Sequence, residues 1–213
     1  MRRTSAAALC AVLLFSVTAV AAVYLNAPTA SRAEVTAAAP KIGDKIADFS
    51  LPDAMTGTAR SLKELSAGKK AVALIFISTQ CPVSNAYNGR MAQIASDFGS
   101  KGIQVVGINS NRSEMPADIT AHAKANNLTF PILKDTGNKI ADRLDAQVTP
   151  EVYLVKPNGE LIFHGPIDDR QQVSDVQHTY LHDALNAVTG GKSIAVTGAR
   201  AFGCSIKRAP SAS

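Results

Sequence analysis

Residues 71–91, AVALIFISTQCPVSNAYNGRM, decide how the rest of the chain is read. Ala71 to Ile77 is an unbroken apolar run with β-branched and aromatic side chains, the pattern of a central strand covered on both faces. The strand should end near Ser78. Pro82 has no N–H and is tolerated in the first turn of a helix, so the spacing predicts a helix beginning just after Cys81. Cys81 then caps a helix N-terminus, where free N–H groups and the positive end of the dipole favour thiolate over thiol. A strand that delivers a cysteine to such a cap builds a nucleophile. The plainer reading of Cys81 is a buried structural thiol that behaves as a small hydrophobe.

Working outward, Val83 to Phe98 is predicted as one helix, with Met91, Ile94, Ala95 and Phe98 at three- and four-residue steps. Ile103 to Ile108 is a second buried strand, and Asn109-Ser110-Asn111 is a loop at its C-terminal end. A helix over Pro116 to Asn127, a short strand over Phe130 to Leu133 and a small helix over Asn138 to Leu144 follow. Val152 to Val155 and Leu161 to Phe163 flank Pro157-Asn158-Gly159, the signature of an antiparallel hairpin. Asp175 to Val188 is the last helix, with Leu181, Ala184, Leu185 and Val188 on one face. Before the central strand, Lys41 to Asp53 reads as an opening strand or extended arm and Ser61 to Leu65 as a helical turn. The alternation predicts an α/β fold, a central mixed sheet with helices on both faces.

The start of the chain carries a targeting pattern. Arg2 and Arg3 precede the uncharged run Ala6 to Leu25, and small residues suited to cleavage follow at Ala19-Val20-Ala21 and Ser31-Arg32-Ala33. Residues 1–33 are thus expected to be a signal peptide or, since about 20 apolar residues span a bilayer, an N-terminal membrane anchor. Either places the domain in the periplasm or another extracytoplasmic space. Residues 34–40 read as a linker, 41–208 as the folded domain and 209–213 as a disordered end. The full chain has 22 Lys and Arg against 17 Asp and Glu. Cleavage after Ala33 removes Arg2, Arg3 and Arg32 and leaves a nearly balanced domain, so the sequence pI of 9.2 is no argument for nucleic-acid binding. Cleavage also removes Cys10, leaving Cys81 and Cys204 as a candidate pair in an oxidising compartment.

Several motifs together resemble a known family. They are Cys81-Pro82-Val83-Ser84-Asn85, Gly107-Ile108-Asn109-Ser110-Asn111, Phe130-Pro131-Ile132-Leu133-Lys134-Asp135, Val148-Thr149-Pro150, Gly165-Pro166-Ile167-Asp168-Asp169 and Gly203-Cys204-Ser205-Ile206-Lys207. The domain resembles a peroxiredoxin-like redoxin of the alkyl hydroperoxide reductase/thiol-specific antioxidant (AhpC/TSA) superfamily, with a thioredoxin-like fold. The resemblance implies an exported thiol oxidoreductase without a cofactor, with Cys81 as attacking thiol. Ser84 stands where thioredoxin-like enzymes carry a second cysteine. Thr149-Pro150 resembles the cis-proline segment that faces the active cysteine, and Ser78, Thr79, Pro82, Thr149 and Pro150 are the expected substrate-binding residues. Peroxidatic sites combine a hydroxyl three residues before the cysteine with a nearby arginine. Ser78 supplies the hydroxyl here, but Leu74 replaces the usual proline, and Arg90 lies about 13 Å along the helix from the cap.

Cys204, beyond the last helix, is open to three readings. It resolves oxidised Cys81 from a mobile polar tail, or it staples the fold, or it joins Cys81 as a metal ligand. Closing a loop of about 120 residues stabilises by roughly 5 kcal/mol in the entropic model, so the staple has its own rationale. The metal reading makes the chain a copper or metal chaperone, or a redox sensor, with Cys81 and Cys204 as ligands. His178 and His182 stand four apart on the last helix without a third ligand at recognisable spacing, so no metal site is assigned. Asp168-Asp169 reads as a hairpin end in solvent or a proton relay. The expected partners are an external thiol or disulfide protein and a hydroperoxide.

Overall fold

The computed structural model describes residues 39–210. The expected leader, Cys10, most of the linker and residues 211–213 lie outside the described residues. Among the described residues no helix is long and apolar enough to cross a membrane.

A small antiparallel pair, β1 (Ser50–Pro52) and β2 (Ala59–Ser61), opens the described chain. Ser61 then caps α1 (Leu62–Ser66) by accepting from the Glu64 N–H at 3.0 Å. The main sheet has five strands in the order β5-β4-β3-β7-β8. β3 (Ala71–Phe76) lies at its centre, parallel to β4 (Ile103–Asn109) and antiparallel to β7 (Glu151–Val155). β5 (Ile132–Lys134) adds parallel to β4, and β8 (Leu161–Gly165) closes the hairpin with β7.

The period-two side-chain alternation of β3 divides the core into two layers. Ala71, Ala73, Ile75 and Ile77 pack with Met91, Ile94 and Phe98 of α3 (Asn88–Gly99), Ile119 of α4 (Pro116–Ala125) and Leu181 and Leu185 of α6 (Tyr180–Thr189). Val72, Leu74 and Phe76 face the other way, onto Leu62 and Leu65 of α1 and Ile140 and Leu144 of α5 (Lys139–Leu144). Every residue of β3 is fully buried, which is why its sequence is a continuous apolar run rather than an alternation. The result is the expected thioredoxin-like α/β fold.

Four expectations need correction. The helix expected over Val83 to Phe98 is two, α2 (Pro82–Ala86) and α3, separated at Tyr87. Tyr87 is buried there, and its hydroxyl donates to Asp168 Oδ1 at 2.7 Å. Arg90 Nη1 binds Asp168 Oδ2 at 2.5 Å, and its guanidinium lies 3.7 Å from the Tyr87 ring centroid. Asp168 is therefore neither a solvent-facing hairpin end nor a relay at the cysteine, since it clamps α3 to the loop after β8. The last helix begins at Tyr180 rather than Asp175, after a separate 3-10 turn at Val173–Asp175. Finally, the segment after α6 is no loose tail. Residues beyond α6 return along β8, where His164 N–H donates to Thr197 O at 3.0 Å, and end in β9 (Cys204–Ser205) with Ile206 buried.

Asp168→Ala leaves the half-buried Arg90 guanidinium without its counter-charge and takes one acceptor from the buried Tyr87 phenol, so it should lower the free energy of unfolding by about 3 kcal/mol in a urea titration. A loss below about 1 kcal/mol would mean the pair behaves like an exposed one.

Candidate redox site

Cys81 occupies the position expected of it, at the N-cap of α2 with Pro82 following as first helical residue. It is 3% exposed and forms a disulfide with Cys204, the Cα atoms being 5.8 Å apart. The Ser84 N–H points at Cys81 Sγ across 3.2 Å. Ser84 thus stands in the place of a neighbouring second thiol, and its backbone stabilises the sulfur instead. Its hydroxyl in turn accepts from the Ser78 N–H at 3.1 Å, tying the end of β3 to the start of α2.

The opposite wall is β6 (Val148–Thr149). The Thr149–Pro150 peptide is cis, and Thr149 O lies 3.4 Å from Cys81 Sγ. β9 pairs antiparallel with β6, Cys204 opposite Thr149 and Ser205 opposite Val148. The backbone can come this close because position 203 is glycine, where a Cβ would collide with the Thr149 carbonyl. Thr149 Oγ1 is buried and without a partner among the described residues.

Each wall is set by a buried carboxylate that sequence reasoning did not single out. Glu114 is fully buried, and donors from Ser78 Oγ (2.5 Å), Thr79 N (2.7 Å), Gln80 N (3.4 Å), Asn109 Nδ2 (2.6 Å) and Asn111 Nδ2 (2.7 Å) converge on it. Ser78 Oγ, while donating to Glu114, accepts the Cys81 N–H at 3.1 Å. Glu151, directly after the cis bond, accepts from Gln147 N at 2.7 Å, Val148 N at 3.1 Å, Tyr153 Oη at 3.2 Å and His164 Nε2 at 2.7 Å. Burial pushes both carboxyls upward, but these donors more than offset it and hold both below the usual glutamate range. Lys134 reaches the same region, with Nζ 3.1 Å from Asn109 Oδ1 and 2.5 Å from Asn111 O, and burial lowers its pKa. The only sequence signal for this network was a polar Asn-Ser-Asn loop at the edge of a buried strand.

Thr79 is partly buried with its N–H on Glu114, and Pro82 is exposed beside the cysteine. Arg90 is held by Asp168 and by the Arg170 and Gln171 carbonyls. Asp169 accepts from the Gln177 and His178 N–H groups. His178 stacks on Tyr180, and His182 contacts Asn186. Among the described residues no three His, Cys, Asp or Glu side chains are grouped to hold a metal ion. Arg208, four residues past Cys204, binds Asp142.

A thioredoxin-like sheet presenting one capped cysteine, disulfide-bonded to a second thiol from beyond the last helix, defines a redoxin-type protein. Residues 42–164 match the family model of the AhpC/TSA family, and the chain belongs to that family. It is 28% identical over 122 residues to the thiol-disulfide oxidoreductase ResA of Oceanobacillus iheyensis, a match covering 57% of this chain and 62% of that protein. The alignment thus spans less than two thirds of that relative. A crystal structure of a hypothetical protein from Sinorhizobium meliloti 1021 is 33% identical, with a TM-score of 0.74 over 81% of this chain and 97% of that one. An uncharacterized conserved protein from Geobacillus kaustophilus, at 26% identity, superposes with a TM-score of 0.75 over 81% and 94%.

The Glu114 environment has a pH signature. A carboxyl held low in the folded state contributes stability above the unfolded glutamate pKa, about 4.3, and loses it as pH falls through the folded value. Glu114→Gln should therefore show a shallower loss of stability on acidification than the natural chain, as well as lower stability at neutral pH. Parallel acid limbs in urea titrations at several pH values would exclude Glu114 as a source of that dependence.

Proposed function

We propose that the chain is an exported thiol-disulfide oxidoreductase in which Cys81 is the attacking thiol and Cys204 the resolving one. The observation that carries this reading is the Cys81–Cys204 bond at a helix cap, with a backbone N–H aimed at Cys81 Sγ. When the bond is reduced, that N–H remains to favour the Cys81 thiolate, the form that attacks. The similarity to proteins named thiol-disulfide oxidoreductase ResA supports the same chemistry.

The reaction balances as two exchanges. Cys81 thiolate attacks one sulfur of a partner disulfide, forming a mixed disulfide and expelling the partner's other sulfur as thiolate. Cys204 thiolate then attacks the Cys81 sulfur, closing the internal disulfide and releasing the partner's second thiolate. Two electrons pass from the chain to the partner, and the reverse sequence oxidises a partner dithiol. Ser78 and Thr79 shape the cysteine loop, Pro82 starts the helix that caps Sγ, and Thr149-Pro150 forms the opposite wall. Export follows from the Arg-led apolar leader and from a disulfide that persists outside the cytosol.

Two observations favour disulfide exchange over hydroperoxide reduction. Ser78 donates to Glu114, and Arg90 is committed to Asp168, so the hydroxyl and the guanidinium that would polarise a peroxide are both engaged. The metal-carrier reading has only the two cysteines to draw on, and these are joined to each other.

Oxidising the reduced chain with a stoichiometric small disulfide and quenching at intervals should show an adduct on Cys81 first and the Cys81–Cys204 bond after it. Cys204→Ser should make the adduct persist, and Cys81→Ser should abolish exchange. Decay of the adduct at an unchanged rate in Cys204→Ser would remove Cys204 from the resolving role.

A further inference from the structure

Cys204 reaches Cys81 on a segment that makes its own contacts with the domain in addition to the S–S bond. Ile206 is buried, and its N–H donates to Gln147 O at 2.9 Å. Lys207 O accepts from the Arg112 N–H at 3.0 Å, and the Lys207 N–H donates to Asn111 Oδ1 at 2.7 Å. Further on, Arg208 binds Asp142 and the Ala146 carbonyl, and the Ala209 N–H donates to Asn138 Oδ1.

The Asn111 side chain faces both halves of the site. Its oxygen holds Lys207, three residues past Cys204, while its nitrogen donates to Glu114 Oε1 at 2.7 Å. Glu114 is the carboxylate that gathers Ser78, Thr79 and Gln80 immediately before Cys81. Lys134 fixes the main chain of Asn111 from behind through its carbonyl. One buried amide and one buried carboxylate therefore connect the loop bearing Cys81 with the strand bearing Cys204.

We propose that Asn111 and Glu114 are positioning residues that keep Cys204 at bonding distance from Cys81 in both redox states, so that the pair opens and closes in place. Neither residue touches a sulfur. The functional meaning of the proposal rests on the redox reading of this pair, but its physical content does not. Disulfide closure within a chain depends on the effective concentration of one thiol at the other, and a segment already held by its own contacts has little freedom left to lose. Against glutathione, two S–H bonds form at Cys81 and Cys204, the internal S–S bond breaks, and one S–S bond forms between two glutathione molecules. Two electrons enter the protein.

The test equilibrates the chain in mixtures of reduced and oxidised glutathione and reads the fraction of dithiol by alkylation and mass. Asn111→Ala should weaken the internal disulfide at least tenfold, a rise of about 30 mV in potential for each tenfold change. Glu114→Gln should shift it in the same direction, and the double variant should fall short of the summed shifts because both act along one path. Lys207→Pro removes the donor to Asn111 from the tail side while leaving the Asn111 and Glu114 side chains in place, and should also raise the potential. This variant decides the matter where a buried substitution fails to fold. Unchanged potentials, with oxidised and reduced forms destabilised equally, would overturn the proposal and leave the network as scaffold, and so would a shift to lower potential. If the natural chain exchanges with no disulfide, yet these variants shift the equilibrium as expected, the functional reading fails and the positioning role stands.

Discussion

The Cys81 site depends on a single constraint, the burial of the Glu114 carboxylate. Every group around it is a donor, so it can satisfy them only as an anion. Those donors are the side chain and backbone of the turn leaving β3, together with two asparagines from the end of β4 and the loop beyond it. The carboxylate satisfies the inward-facing hydroxyl and N–H groups of Ser78, Thr79 and Gln80, so the turn can leave the buried strand without orphaned donors before α2 begins. Glu151 does the equivalent for the facing strand, by holding the Gln147 and Val148 N–H groups. Two buried anions thus hold the walls between which the sulfur atoms meet.

The segment after α6 completes this arrangement from within the same chain. By pairing with β6, it occupies the strand edge beside the cis bond. Glycine at 203 makes the approach possible, and Cys204 is carried to a position opposite Thr149. The geometry resembles a captured cysteine peptide whose sulfur is already joined to Cys81. Tyr87 extends the support outward, with Phe202 packed edge-on against its ring and Asp168 and Arg90 behind it. The second thiol therefore belongs to a folded part of the domain, which differs physically from an arm that must search for its target.

Much of this was determined by the sequence alone. The apolar run from Ala71 to Ile77, the Cys-Pro junction, the Pro-Asn-Gly hairpin turn and the amphipathic last helix are local patterns, and each local preference agrees with the tertiary fold. They were sufficient for the α/β class, the central strand, the capped cysteine and, by resemblance, the cis Thr149-Pro150 bond facing it. Cys204 was legible as a candidate pair for Cys81, because both lie beyond the apolar N-terminal run that holds Cys10. What only the tertiary structure decided is everything that depends on contacts between distant residues. Glu114 and Glu151 look like surface acids in sequence, because nothing local reports that five donors will converge on one of them. The break at Tyr87 is invisible to a helical period that Met91, Ile94 and Phe98 continue on their own. The tail looks polar and free, because its bonds go to groups some 60 to 100 positions away, at Gln147, Ala146, Asn138 and Asn111. Periodicity and capping are written in neighbouring residues, whereas the satisfaction of a buried charge is a property of the assembled core.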